Sequence, residues 1–218
     1  MTNKELIKLI DGGENLRVEF KQRFSEYDKI AKEIIAFANT KGGTIIFGVN
    51  DDKTLCGIHS EKSITELVNQ TIEEYCTPKP KFSFNFFEIN GYELVSVEVS
   101  ESDNKPVRIQ DYKKKLDLNT AQVYVRVNDK SVPASKEMIK LLQNQIEKSE
   151  LKNYKIGKNE RIAFELLERN ETLTVKDLME KANISKRRAS RTLINMVRAD
   201  ILLIHTKDNG EDYFSYSG

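Results

Sequence analysis

A chain of 218 residues has room for one large or two modest domains with real cores, and 39% hydrophobic against 32% charged residues describes a polar-surfaced globular protein. No apolar run suits a secretory leader or a bilayer span, so a cytoplasmic protein without a membrane partner is expected. The net charge of +1 excludes a uniformly basic protein, yet Lys, Arg, Asp and Glu sum to about −2 over 1–150 and about +3 over 151–218, which points to an anionic partner for the C-terminal part.

Taken in order, Thr2 caps a short helix over 3–10, with Glu5 three residues from the cap, and Gly12-Gly13 ends it. Leu16, Val18 and Phe20 then alternate with Arg17, Glu19 and Lys21, the pattern of a half-buried strand. From residue 29, Ile30, Ile34, Ile35, Phe37 and Ala38 fall at helical spacing, and Asn39-Thr40-Lys41-Gly42-Gly43 stops that helix. The run from Thr44 to Val49 reads as a central strand buried on both faces. Asn50-Asp51-Asp52-Lys53 is a turn, with 54–58 as a returning strand. A third helix is expected over 63–75. Residues 82–89 and 92–99 form a hairpin about Asn90-Gly91, and 101–115 is a polar loop carrying Lys113-Lys114-Lys115. A strand at 122–127 and a helix at 135–148 complete a mixed sheet with flanking helices, an α+β domain over 1–149.

After a linker at 150–158, residues 159–218 read as a second, small domain. Helices are expected at 159–169, 175–182 and 186–199, the last two capped by Thr174 and Ser185. Strands at 201–206 and 212–216 flank Asp208-Asn209-Gly210. Three helices and a hairpin are the winged helix-turn-helix pattern, whose third helix would enter a major groove. Lys186, Arg187, Arg188, Ser190 and Arg191 on that helix, with Lys207 and Asn209 in the hairpin, are the candidate nucleic-acid contacts. Thr192 falls near the groove edge. A charged, solvated helix face or a protein-binding module is the alternative reading of the same residues.

Cys56 and Cys76 lack metal-site spacing and are expected to be reduced, and His59 and His205 stand alone in the sequence. No G-x4-G-K-[ST] motif is present, and Gly42-Gly43 precedes a strand instead of opening a helix, so ATP binding gains no support.

The order GGENLRVEFK, AFANTKGGTIIFGVNDD, Lys105-Pro106-Val107, Val123-Tyr124-Val125-Arg126-Val127 and Pro133-Ala134-Ser135 resembles the Schlafen AlbA-like DNA-binding domain family over roughly residues 5–148. The resemblance implies a nucleic-acid-binding domain, with Lys21, Arg23 and Lys41 as further phosphate contacts. In nuclease-active Schlafens, two glutamates and an aspartate form a metal-dependent RNase site. Glu14, Glu19 and Asp51 match them here, with Asp52 one residue from the last, and three carboxylates suit Mg2+ or Mn2+. Residues five apart on a straight strand lie about 17 Å from each other on opposite faces, so the trio requires a bend at residues 13–15. Otherwise Glu19 pairs with a cation such as Lys41, and Asp51 and Asp52 only make the turn. The resemblance also implies a homodimer, since Schlafens pair two such lobes where this chain has one.

The expected function is therefore a nucleic-acid-binding protein, a transcriptional regulator acting on DNA before RNA. A metal-dependent endoribonuclease acting on structured RNA and a ligand- or partner-sensing module are the alternatives.

Overall fold

The computed structural model describes residues 1–110, 121–144 and 154–217. Contacts divide the chain into two units, Met1–Pro133 and Ala134–Gly218. The architecture is mixed α+β, with seven helices among the described residues.

The first unit opens with α1 (Asn3–Gly12), whose start has the capping box expected of Thr2 and Glu5. It continues through β1 (Val18–Lys21), α2 (Tyr27–Asn39), β2 (Gly43–Phe47), α3 (Glu61–Tyr75), β3 (Cys76–Thr77), β4 (Phe82–Ile89), β5 (Tyr92–Val99), β6 (Arg108–Ile109), β7 (Tyr124–Val127) and β8 (Lys130–Pro133). The main sheet runs β1-β2-β5-β4, with β1 parallel to β2 and the other pairs antiparallel. Both of its faces are covered. Ile46, Phe20, Leu94 and Phe87 pack with Leu6 and Ile10 of α1, while Ile45, Phe47, Val95 and Val97 pack with α2 and with Ile64, Val68 and Ile72 of α3. The uninterrupted apolar run of β2 follows from this, because a strand with helices on either side has no solvent face.

Asn90 and Gly91 both have positive φ, as a two-residue hairpin turn requires, and join β4 to β5 in the expected register. Other expectations change. Leu16 is 40% exposed at the tip of a turn, because β1 begins only at Val18. The returning strand at 54–58 reduces to one bridge, Val49 with Leu55. The polar loop after residue 101 holds β6, which pairs with β3 and buries Arg108. Strand β8 is additional, reached through the left-handed Asn128. The Lys113-Lys114-Lys115 run and residues 145–153, which include the first four residues of the expected linker, lie outside the described residues.

Asn39 and Thr40, at the end of α2, tie these pieces together. Asn39 donates to Val107 O at 2.8 Å and Tyr124 O at 2.9 Å and accepts from Val107 N at 2.7 Å. Thr40 accepts from Arg126 N, and its carbonyl takes the ammonium of buried Lys105 at 3.0 Å. The chain then turns at Gly42, whose φ of +72° and closeness to Val99 O leave no place for a side chain.

The second unit contains α4 (Lys136–Asn144), α5 (Lys158–Asn170), α6 (Val175–Ala182), α7 (Lys186–Arg198) and the antiparallel pair β9 (Leu202–Thr206) and β10 (Asp212–Tyr216). Thr174 and Ser185 cap α6 and α7 as their sequence positions predict. The core is Leu167, Leu178, Leu193, Met196, Leu202 and Phe214, among others, and Leu173 bonds to Phe214 beside the hairpin. Helix α4, read from sequence as the end of the first domain, instead packs on α7. Ser135 caps it and also bonds Asp212, and Lys140 Nζ donates to Ser190 Oγ at 3.3 Å. No described helix is long and apolar enough to cross a membrane.

Candidate nucleic-acid interface

The acidic candidates lie at the start of the first unit. The bend that draws Glu14 back is made by Asn15 and Val18, which exchange backbone bonds, with Arg17 N held on Asn15 Oδ1 at 2.9 Å. Glu14 Oε1 thereby accepts from Phe20 N at 2.8 Å. Partial burial pushes the Glu14 carboxyl above its usual range, opposed by the Phe20 N–H and assisted by the negative charges of Glu19 and Asp51. A proton therefore binds this carboxyl more tightly in the folded state than in the unfolded one. Its contribution to stability is full below the ordinary glutamate value and is lost as pH rises through the raised one. We expect Glu14→Gln to be more stable than the parent at neutral pH, with the gap closing as pH falls towards 4.5, the ordinary value. Urea denaturation of both proteins across that range reads the difference.

Glu19 is 7% exposed and already committed. Lys21 Nζ bonds one oxygen, and Arg126 Nη1 bonds the other at 2.8 Å. Arg126, its side chain fully buried, also reaches Glu33 at 3.0 Å, Ser131 Oγ at 3.2 Å and Asn15 O at 2.8 Å, and its guanidinium lies 4.7 Å from the centre of the Phe37 ring. Glu33 in turn holds Lys32 at 3.2 Å and the Ser131 hydroxyl. Lys41, the cation expected beside Glu19, pairs instead with Glu101 at 3.5 Å. Asp51 and Asp52 are exposed in the turn, where Asp52 accepts from both Thr54 N and Thr54 Oγ1, bonds that hold its carboxyl below the usual range.

The acidic trio does not fit Mg2+ or Mn2+. A divalent ion at Glu19 would face the Lys21 ammonium and the Arg126 guanidinium already on its two oxygens. Among the described residues, no three His, Cys, Asp or Glu side chains form a group that could hold a metal. Of the basic candidates in this unit, Lys21 and Lys41 are ion-paired and Arg23 is exposed.

In the second unit, Lys186, Arg187, Arg188 and Arg191 are all exposed on α7. Arg188 and Arg191 open into a polar groove of about 650 Å³ shared with Lys155, Lys158 and Asn195. Glu160, the one acidic residue of the groove among the described residues, is occupied by Tyr154 Oη at 2.8 Å and Gly157 N at 2.9 Å. Ser190 is not on this face. It is 2% exposed beneath α4 and not available as a contact, whereas Thr192, 7% exposed, lines the groove with Arg188 and Arg191. In the hairpin, Lys207 is exposed, 5.9 Å from the Tyr213 ring centre. Asn209 shapes the turn, accepting from Glu211 N and donating to its carboxylate.

Several residues of these sites were not singled out from sequence. Glu33 falls between Ile30 and Phe37 on the inward face of α2, a charged residue in an apolar stripe, and that was its signal. Asn195 lies one turn beyond Arg191. Lys155 and Lys158 belong to a stretch read only as linker.

The Schlafen, AlbA_2 family model matches residues 14–135, from Glu14 through the strand of Arg126. The chain belongs to the Schlafen, AlbA_2 family. No curated protein matches it. Among solved structures, it is similar to the DIP2311 protein from Corynebacterium diphtheriae, at 18% identity and a TM-score of 0.44, covering 65% of this chain and 31% of that one. It is also similar to the N-terminal domain of a putative ATP-dependent DNA helicase RecG-related protein from Nitrosomonas europaea, at 20% identity and a TM-score of 0.40, covering 50% of this chain and 81% of that one. The chain thus spans under a third of the Corynebacterium protein's length. For this Schlafen, AlbA_2 chain, the matched segment contains the whole Arg126 cluster, while the α7 face lies beyond it.

Proposed function

We propose that this Schlafen, AlbA_2 protein binds nucleic acid, duplex DNA in the first place, through its C-terminal unit, and serves as a transcriptional regulator. The observation that carries this reading is the exposed cationic face of α7, where Arg187, Arg188 and Arg191 meet no free carboxylate in the adjoining groove among the described residues. Family membership supports the nucleic-acid part.

As a winged helix-turn-helix, the unit lays α7 in a major groove and the 207–211 loop, with Lys207, over the backbone. The arginines and Lys155 and Lys158 neutralise phosphates, and Asn195 offers the paired donor and acceptor that suit an adenine edge. Lys21 and Lys41 contribute less, because each already has an anionic partner in its own unit.

The test is a salt titration of full-length protein on labelled duplex DNA. Replacing Arg188 and Arg191 together with Ala should weaken binding about tenfold or more at physiological salt and lower the log–log salt slope by about 1.8, since each lost phosphate contact removes ~0.9. Unchanged affinity and slope would show that α7 is not the contact. Equal affinity for structured RNA would remove the preference for DNA.

A further inference from the structure

β4 is the outer strand of the main sheet among the described residues, and its outer edge has a specific pattern. The two-residue turn at Asn90-Gly91 makes Ile89 and Tyr92 a mutually hydrogen-bonded pair, so the odd-numbered residues of β4 spend their backbone groups on β5. The bond from Ser100 N to Lys81 O continues that series. The N–H and C=O groups of Phe82, Phe84, Phe86 and Glu88 consequently point away from the sheet. Asn3 Nδ2 takes Glu88 O at 3.2 Å, and the other three residues have no backbone partner among the described residues.

The same three phenylalanines form a row on one face of the strand. Phe82 and Phe84 meet edge to face at 5.5 Å, and Phe84 and Phe86 stack at 6.2 Å. Phe86 is 49% exposed. No proline, lysine or bulge interrupts β4, the devices that ordinarily protect an edge.

We infer that this edge pairs with the same edge of a second copy of the chain, antiparallel about a two-fold axis at Phe84. In that register Phe84 faces Phe84 of the partner subunit and Phe82 faces Phe86 of the partner subunit. All three pairs are of the outward, hydrogen-bonding kind, and the two aromatic rows become one ladder of six rings.

The pairing also ends where the sequence can end it. Glu88 falls opposite Pro80 of the partner subunit, which has no N–H to give, and the Glu88 carbonyl needs none because Asn3 already supplies a donor. Centring the axis on Asn85 instead would direct the Phe82 N–H at that occupied carbonyl and set Phe82 against a glutamate. The self-complementary register is what favours a second copy over an unrelated strand. The product is a continuous eight-stranded sheet.

Sedimentation of the full-length protein at tens of micromolar should show a dimer. In hydrogen exchange, the Phe84 and Phe86 amides should be protected at high concentration and exchange quickly on dilution. Phe86→Lys places a charge in the ladder, and Phe86→Pro removes an outward N–H without breaking a bond to β5. Each should raise the dissociation constant about tenfold or more while leaving the circular dichroism unchanged. A monomer at tens of micromolar overturns the inference, as does a dimer whose Phe84 amide exchanges freely or whose stability survives both variants. If a variant fails to fold, the exchange of the parent protein decides.

Discussion

Replacing Arg126 with Met should destabilise the N-terminal unit by about 3–5 kcal/mol, the cost of removing one partner from a buried ion cluster. The guanidinium is the only charge shared by Glu19 and Glu33 among their described partners, and both carboxylates are almost fully buried. Lys21 and Lys32 would remain, each on one oxygen of its own glutamate and neither bridging the two. The backbone carbonyl of Asn15 would lose its donor as well, loosening the turn that carries Glu14. Urea denaturation measures the loss. Adding Glu19→Gln and Glu33→Gln to the Arg126→Met chain should recover part of it, because neutral amides tolerate burial far better than unpaired carboxylates. A loss below about 1 kcal/mol would mean that water or the lysines replace the guanidinium.

This cluster ties Glu19 to Lys21 and Arg126. Glu19 joins β1 to β7 through Arg126, and Glu33 joins α2 to the same arginine, so the strand pair β7–β8 is fastened to the sheet by charge as well as by packing. Arg126 Nε remains without a partner among the described residues. A nuclease assay on a Glu19 variant would therefore need a parallel stability measurement, since losing Glu19 alters the balance around a buried cation.

Gly43→Ala should be nearly as damaging, at about 3 kcal/mol. A Cβ there would lie 2.2 Å from Phe37 Cδ1 and 2.8 Å from Arg17 O. The ring cannot give way easily. Phe37 is fully buried, and the Arg126 guanidinium lies over its face. The cost thus comes from overpacking, and it reaches the ion cluster through the ring. Gly12→Ala is the matched control, because its Cβ meets nothing within 4 Å and alanine favours the end of α1. A melting temperature unchanged for Gly12→Ala and markedly lower for Gly43→Ala is the expected result. Equal melting temperatures would show that β2 can shift away from α2.

Much of the fold was legible because it depends on local chemistry. The capping boxes at Thr2 and Thr174, the Asn90-Gly91 turn and the apolar stripes of α2, α3 and α7 each follow from residues a few positions apart. Even the bend that brings Glu14 back was foreseeable as a requirement: Gly13 turns with a φ of +75°, and the Asn15–Val18 bonds extend the bend past the expected residues. The cationic face of α7 was readable for the same reason, since helical spacing alone places Arg187, Arg188 and Arg191 together. Tertiary structure decided the rest. Glu19 and Arg126 are 107 positions apart, and no local pattern could show that the family's acidic residue is neutralised by a distant strand. Ser190 shares its helix with the exposed arginines, yet α4 covers it, because which face of a helix is buried depends on what the chain packs there. Sequence fixes which groups carry charge; only the assembled core decides which of those charges are already spent on one another.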